Sequence, residues 1–354
     1  MPARLALPCL IALCAAAPLW ADSVATLPIT GEPVESLASF DAAITQYMTE
    51  RSITAGTLAI SRDGRIIYQR GYGWRDQAKT QPTPPDTVMR IASVSKPITA
   101  AAVRRLISGR KLKPGDLAFK FVQCEVPADI QPDPRLKSIT ITHLLEHRGG
   151  WDRSAGFDPM FHDREIMPAL GLNQPATSDE IIRYMMGQPL NFDPGERNAY
   201  SNFGYCVLGR VVETAGGEPY IDLVQRHIAK PLKMTSLRLG RTNAADRLPD
   251  EVEYPIKDGS LQVERMDAHG GLVCSAADLC RFMDSYWLNG EPRREGDRGD
   301  FVFFGAMRGT SSMARQRRDG IHIAVLFNNW PKDANTIKQT LDGIADQVTQ
   351  WPQP

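Results

Sequence analysis

The sequence has no excess of charge of either sign. Its 354 residues carry 41 Lys and Arg against 41 Asp and Glu, a formal net charge of +0, so no long-range field favours nucleic acid or an anionic membrane surface. Internal repeats are absent. No stable membrane span is expected either: the apolar run from Leu5 to Leu19 is shorter than the ~20 residues a span needs and contains Pro8 and Pro18. Cysteines number only six, and none forms a C-x-x-C pair. What remains is a chain 42% hydrophobic and 8% aromatic, ample to bury a large core and suited to a neutral or mixed-charge small ligand.

Arg4, the apolar run and the small Ala21 before Asp22 and Ser23 read as an export signal over residues 1–21, which predicts a periplasmic or secreted protein. Its removal leaves Cys124, Cys206, Cys274 and Cys280 in a compartment that permits disulfides. Ser275 and Asp278 predict a capping box starting a helix after Cys274, which sets Cys280 too far along to bridge it. Buried free thiols are expected.

Apolar residues at helical spacing (Leu37, Phe40, Ile44, Met48) predict a first helix over 34–49. The period then changes. Thr57 to Ser61 and Arg65 to Gln69 flank Asp63-Gly64, and near the other end Ser312 to Gln316 and Ile321 to Phe327 flank Asp319-Gly320, two predicted hairpins. A helix over 334–348 follows. The middle is helical in period, around 140–147, 178–186, 201–214 and 219–228, and the polar stretch 289–300 reads as an exposed loop. The expected architecture is α/β (α+β): an antiparallel sheet from both chain ends, flanked by helices and built from 22–110 and 265–354, with an inserted helical region, 111–264. A cleft is expected where the two meet.

Ser93-Val94-Ser95-Lys96 precedes a helical run, so Ser93 is expected to open a helix with Lys96 one turn on along the same face. A serine hydroxyl needs a neighbour to take its proton, and a lysine does so when burial populates its neutral amine. Pro97 suits a first turn but biases Lys96 away from helical angles. By itself S-x-x-K is a weak signal, and the plain alternative is a cap and a solvated charge. The Pro194-Gly195 turn leads to Tyr200-Ser201-Asn202. A phenol beside an amine is expected to lose its proton more easily than a free one, and Asn202 offers an amide to orient Lys96 or a substrate carbonyl.

Together these elements resemble the penicillin-recognising serine hydrolases: class C β-lactamases, D-Ala-type carboxypeptidases and related esterases, which use S-x-x-K and, about a hundred residues on, Y-x-N. Leu144-Leu145-Glu146-His147-Arg148-Gly149-Gly150 is similar to the family's L-L-x-H-x-x-G segment, and Ala268-His269-Gly270-Gly271-Leu272 to its A-G-G-L segment. Gly309-Thr310-Ser311-Ser312 and Ile323 to Asn328 resemble its closing strands. The resemblance implies a β-lactamase-like fold and a serine hydrolase working through an acyl-enzyme at Ser93, with Lys96 and Tyr200 as proton carriers. It implies no cofactor and no metal. The substrate would be a small ester, amide or β-lactam.

One motif departs. Where the family has K-T-G or H-x-G, this chain has Phe303-Phe304-Gly305. Gly305 is expected to let substrate backbone approach, and the Ala306 amide to pair with that of Ser93 as an oxyanion hole. A phenyl ring offers a substrate carboxylate neither charge nor hydrogen bond. Esterase-like activity is therefore expected over efficient penicillin hydrolysis, unless Arg308, expected to face solvent, fills the role.

Two rival readings stand. A scaffold that has lost turnover could bind cell-wall fragments or a partner. His143-Leu144-Leu145-Glu146-His147 also spells H-x-x-E-H, the inverted zinc-peptidase pattern, but no third ligand motif stands out downstream and Gly149-Gly150 ends the helix. No G-x-S-x-G elbow occurs, which argues against an α/β-hydrolase. His162, His227 and His322 are expected to pack or face solvent, His269 is a weak candidate for lining the cleft, and Trp151-Asp152 reads as a structural turn.

Overall fold

A computed structural model describes residues 27–122, 124, 131–155, 157–294 and 296–353. The export signal expected at 1–21 lies outside these residues. The strands are β1 (Ile29–Thr30), β2 (Ala55–Arg62), β3 (Arg65–Gly73), β4 (Met89–Arg90), β5 (Arg238–Leu239), β6 (Leu272–Cys274), β7 (Phe301–Met307), β8 (Thr310–Gln316) and β9 (Ile321–Phe327). The helices are α1 (Ala38–Glu50), α2 (Ser95–Ser108), α3 (Ile141–Leu145), α4 (Asp163–Leu170), α5 (Ser178–Met186), α6 (Asn202–Gly216), α7 (Tyr220–Val224), α8 (Ala276–Ser285) and α9 (Ala334–Gln347).

The six-stranded antiparallel sheet runs β1-β3-β2-β9-β8-β7. The two ends of the chain meet at its centre, where Leu58 on β2 pairs with Val325 on β9. Asp63 and Gly64 both take positive φ, 48° and 78°, the conformation a two-residue hairpin turn needs. One sheet face packs on α1 and α9 around Phe40, Ile44, Met48, Leu58 and Ile337, all buried. That core contains the Phe40, Ile44 and Met48 stripe read from the sequence. The other face meets α8 and continues into the larger core, where α2 packs against α6 and α7. A small sheet, β4-β6-β5, ties the segment before Ser93 to the segment after His269.

Some local expectations need correction. Ser275 caps α8, accepting from the Asp278 N–H at 3.2 Å, but the Asp278 carboxylate does not return to Ser275. It accepts instead from the Ser236 N–H at 2.8 Å, so half the capping box is spent tying α8 to the segment before β5. Cys206, Cys274 and Cys280 are buried free thiols, and Cys124 is half-buried. Stretch 289–300 is exposed for the most part, yet Gly290 is buried, lying against Ala100 on α2.

Candidate active site

The polypeptide turns tightly at Ser93. β4 ends at Arg90, Ala92 adopts a left-handed φ of 47°, and residues Ala92–Val94 form a 3-10 turn before α2 begins at Ser95. Ser93 thus precedes the α-helix rather than opening it. Pro97 occupies the third position of α2, where its missing N–H has no intrahelical partner to lose, and Lys96 is helical despite preceding it. A strained φ one residue before Ser93, held between β4 and a buried helix, is the kind of conformation the surrounding fold must impose.

Four groups converge there. The Tyr200 hydroxyl lies 2.9 Å from Ser93 Oγ, and Lys96 Nζ lies 3.3 Å from the same oxygen. Lys96 Nζ also donates to Asn202 Oδ1 and to the His269 carbonyl, each at 2.7 Å. Lys96 is fully buried, and burial pushes its ammonium well below its ordinary range. The contacts suit a neutral amine: its two N–H bonds serve the two carbonyl oxygens, and its lone pair is left for the Ser93 hydroxyl.

Tyr200 differs from the sequence expectation. Burial pushes its phenol up to about 12, despite the bond to Ser93 and the Arg153 guanidinium, which both lower it. The phenol therefore keeps its proton at neutral pH.

His147 fixes the Tyr200 loop. It follows α3 at a left-handed φ of 55°, its Nδ1 accepts from the Ser201 N–H at 3.2 Å, and its ring lies 4.6 Å from that of Tyr200. Burial holds it down at about 4, a neutral imidazole with its remaining proton on Nε2. His143 turns elsewhere: its Nδ1 accepts from the Thr140 N–H at 3.4 Å, capping its own helix. The H-x-x-E-H spelling therefore does not bring its two histidines to a common point. Among the described residues no group of three His, Cys, Asp or Glu is placed to hold a metal.

The cleft in front of Ser93 has a volume of about 790 Å³. Ala306 and Asn202 line it; Gly305 and Phe303 do not. A Cβ on Gly305 would stand 2.2 Å from the Ile91 carbonyl oxygen, so this glycine makes room for the turn that carries Ser93 rather than for substrate. The Phe303 ring packs against the larger core. Arg308 does line the cleft, donating to the Ser260 carbonyl at 2.7 Å, and so does His269, which is wholly buried. Trp151 is buried edge-on against Phe203, the structural role expected of it.

Sequence reasoning missed the far wall, formed by residues 153–154, 157–158, 160–163, 259–262 and 265–266. Phe161 and Trp330, among the few large apolar side chains left exposed (44% and 41%), both line the cleft. Exposed aromatics gathered at one cavity mark a binding surface, a signal visible only once the chain is folded. Arg153 and Asp158 were missed too. Arg153 stacks 4.6 Å over the Tyr200 ring, and Asp158 accepts from Asn202 Nδ2 at 2.6 Å.

The antiparallel sheet, the helical region beside it and the Ser-Lys-Tyr cluster in the cleft define a protein of the β-lactamase fold. The sequence model of the Beta-lactamase family matches residues 40–337, and the chain belongs to that family, most of whose members are serine hydrolases. It is 32% identical over 237 residues to esterase EstB of Burkholderia gladioli, covering 65% of this chain and 57% of that protein. It is 27% identical over 213 residues to a putative D-alanyl-D-alanine carboxypeptidase of Escherichia coli O157:H7, covering 58% of this chain and 47% of that one. These matches thus span about half the length of the curated relatives. Among solved structures, the octameric penicillin-binding protein homologue of Pyrococcus abyssi superposes with a TM-score of 0.69 at 21% identity, over 89% of this chain and 79% of that one. No helix among the described residues is long and apolar enough to cross a membrane.

Proposed function

We propose that the protein is a serine hydrolase that acts through an acyl-enzyme at Ser93 on a small ester or amide. The observation that carries this reading is the placing of one hydroxyl, Ser93 Oγ, within reach of both a buried amine at 3.3 Å and a phenol at 2.9 Å, on the wall of a cleft. The neutral Lys96 takes the serine proton as Oγ attacks the carbonyl carbon. The oxyanion that forms is received by the amides of Ser93 and Ala306, the latter on the edge strand β7. Tyr200 gives its proton to the leaving atom, and the proton held by Lys96 restores the phenol. Water then attacks the acyl-enzyme with the same groups working in reverse.

The esterase relative and the exposed Phe161 and Trp330 rings at the cleft favour uncharged esters. Phe303, turned into the core, gives a substrate carboxylate no partner, and a desolvated unpaired carboxylate costs several kcal/mol. A non-catalytic scaffold would have no chemical need to hold these three groups together. The test is intact-mass analysis after treatment with a fluorophosphonate. Wild type should gain one adduct and Ser93→Ala none; equal labelling of both proteins would remove Ser93 from the mechanism.

A further inference from the structure

Lys96 must be neutral to work, yet it needs acceptors around it, and both requirements depend on a neighbour outside the three motifs. Asn202 can serve Lys96 only if its amide presents oxygen rather than nitrogen. Asp158 decides this, because its Oδ2 accepts from Asn202 Nδ2 at 2.6 Å and so leaves Oδ1 facing Lys96 Nζ at 2.7 Å. The carboxylate is itself fixed: its Oδ1 accepts from the Met160 N–H at 3.2 Å, where Asp158 caps the 3-10 turn Pro159–Phe161. It is half-buried and lines the cleft, and among the described residues no cation forms a salt bridge with it.

Resting on the acyl-enzyme reading above, we propose that Asp158 is a positioning residue of this site. It locks the Asn202 amide toward Lys96, and its charge counters that of Arg153, which stacks on the Tyr200 ring.

The polar and titratable groups gathered round Lys96 are Ser93, His147, Arg153, Asp158, Tyr200, Tyr205 and His269. His147 is held neutral by burial, as is His269. Tyr200 and Tyr205 are kept protonated by burial. Asp158 and Arg153 are the two charged side chains that act on Lys96, and they act oppositely. Against the dominant effect of burial, Asp158 favours the Lys96 ammonium and Arg153 disfavours it. Arg153 also lowers the Tyr200 phenol and Asp158 raises it.

The consequence is an acid limb whose position the two charges set. Removing the carboxylate makes Lys96 easier to deprotonate, so the limb moves to lower pH; removing the guanidinium moves it higher. A plain capping role for Asp158 would move neither.

The experiment follows the rate of Ser93 phosphonylation against pH by intact mass, using the whole chain and one fluorophosphonate probe. Asp158→Asn keeps an acceptor for Asn202 while losing the charge. Its limb should fall by ~1 pH unit, the lower end of what a nearby charge does. Arg153→Gln should raise it by a similar amount, and the double variant should return near wild type. Asp158→Ala, which frees the Asn202 amide to turn, should in addition lower the plateau rate at least tenfold. Arg153 is exposed, so its variant still tests the idea if Asp158 variants fold poorly. Single variants that label Ser93 with an unmoved limb would overturn the inference and leave the acyl-enzyme reading intact. Failure of wild type to label at Ser93 would overturn both.

Discussion

Replacing Gly305 by alanine adds one methyl group where no space exists for it. The new Cβ would stand 2.2 Å from the Ile91 carbonyl oxygen and 2.3 Å from Ser312 Oγ, while Ser312 Oγ already donates to that same carbonyl at 2.7 Å. Ordinary carbon–oxygen contact lies ~1 Å further out, so a gap of about that size must open between β7 and the turn carrying Ser93. β7 is the edge strand and can move outward without tearing a neighbour on its far side. The expected stability loss is therefore modest, about 1–3 kcal/mol as for other overpacked sites. Catalysis should suffer more, because Ala306 travels with the strand and carries its amide away from the Ser93 amide. A displacement of ~1 Å at a reacting centre costs about 10²-fold in rate, and loss of one oxyanion donor costs a similar factor. The assay is kcat and KM for p-nitrophenyl butyrate beside the thermal midpoint, with Gly343→Ala as control, since a Cβ there meets no atom within 4 Å. A folded Gly305→Ala enzyme with kcat within twofold of wild type would refute the oxyanion assignment.

Removing Lys96 or Tyr200 singly should lower kcat by at least about 10²-fold, with the double variant far from the product of the two, because they pass one proton between them; multiplicative losses in a double-mutant cycle would contradict a shared path. Activity should fall on the acid side as the Lys96 amine, depressed by burial, takes up a proton, and a profile flat into acid would count against lysine as base. Phe303→Lys and Phe303→His should raise the kcat/KM ratio of nitrocefin to p-nitrophenyl butyrate; a wild-type enzyme that strongly prefers nitrocefin would show that Arg308 or Arg153 already receives the carboxylate.

The sheet was legible from the sequence because its signals are local. Asp63-Gly64 and the alternation on either side of it depend on residues within one hairpin, and the Phe40–Ile44–Met48 stripe on one helix. Ser93, Lys96, Tyr200 and Asn202 were legible because each sits in a short motif with chemical meaning. The wall opposite them was not. Asp158 reads as an ordinary Asp-Pro turn signal until Asn202, 44 residues on, is brought within 2.6 Å of it. Gly305 was noticed as a glycine but credited to the wrong neighbour, since the Ile91 carbonyl that demands it arrives from a distant strand. Tyr200 was misjudged because burial, which outweighs the charges near it, is a property of packing rather than of motif.

The pairing of β2 with β9 bears on when the protein can first act. Ala55 and Asn328, joined by a hydrogen bond at 3.0 Å, lie 273 residues apart in the chain, and the strand that supports the Ser93 turn, β7, reaches the sheet only through β8 and β9. At ~5–20 residues per second, the ribosome finishes Ser93 some tens of seconds before it makes these strands. Until they arrive Ser93 has no edge strand beside it and β2 lacks its partner at the centre of the sheet. The non-local pairing makes folding slow, and it makes reactivity the last property of the chain to appear: a nascent or C-terminally truncated polypeptide carries Ser93, Lys96 and Tyr200 but should leave a fluorophosphonate untouched.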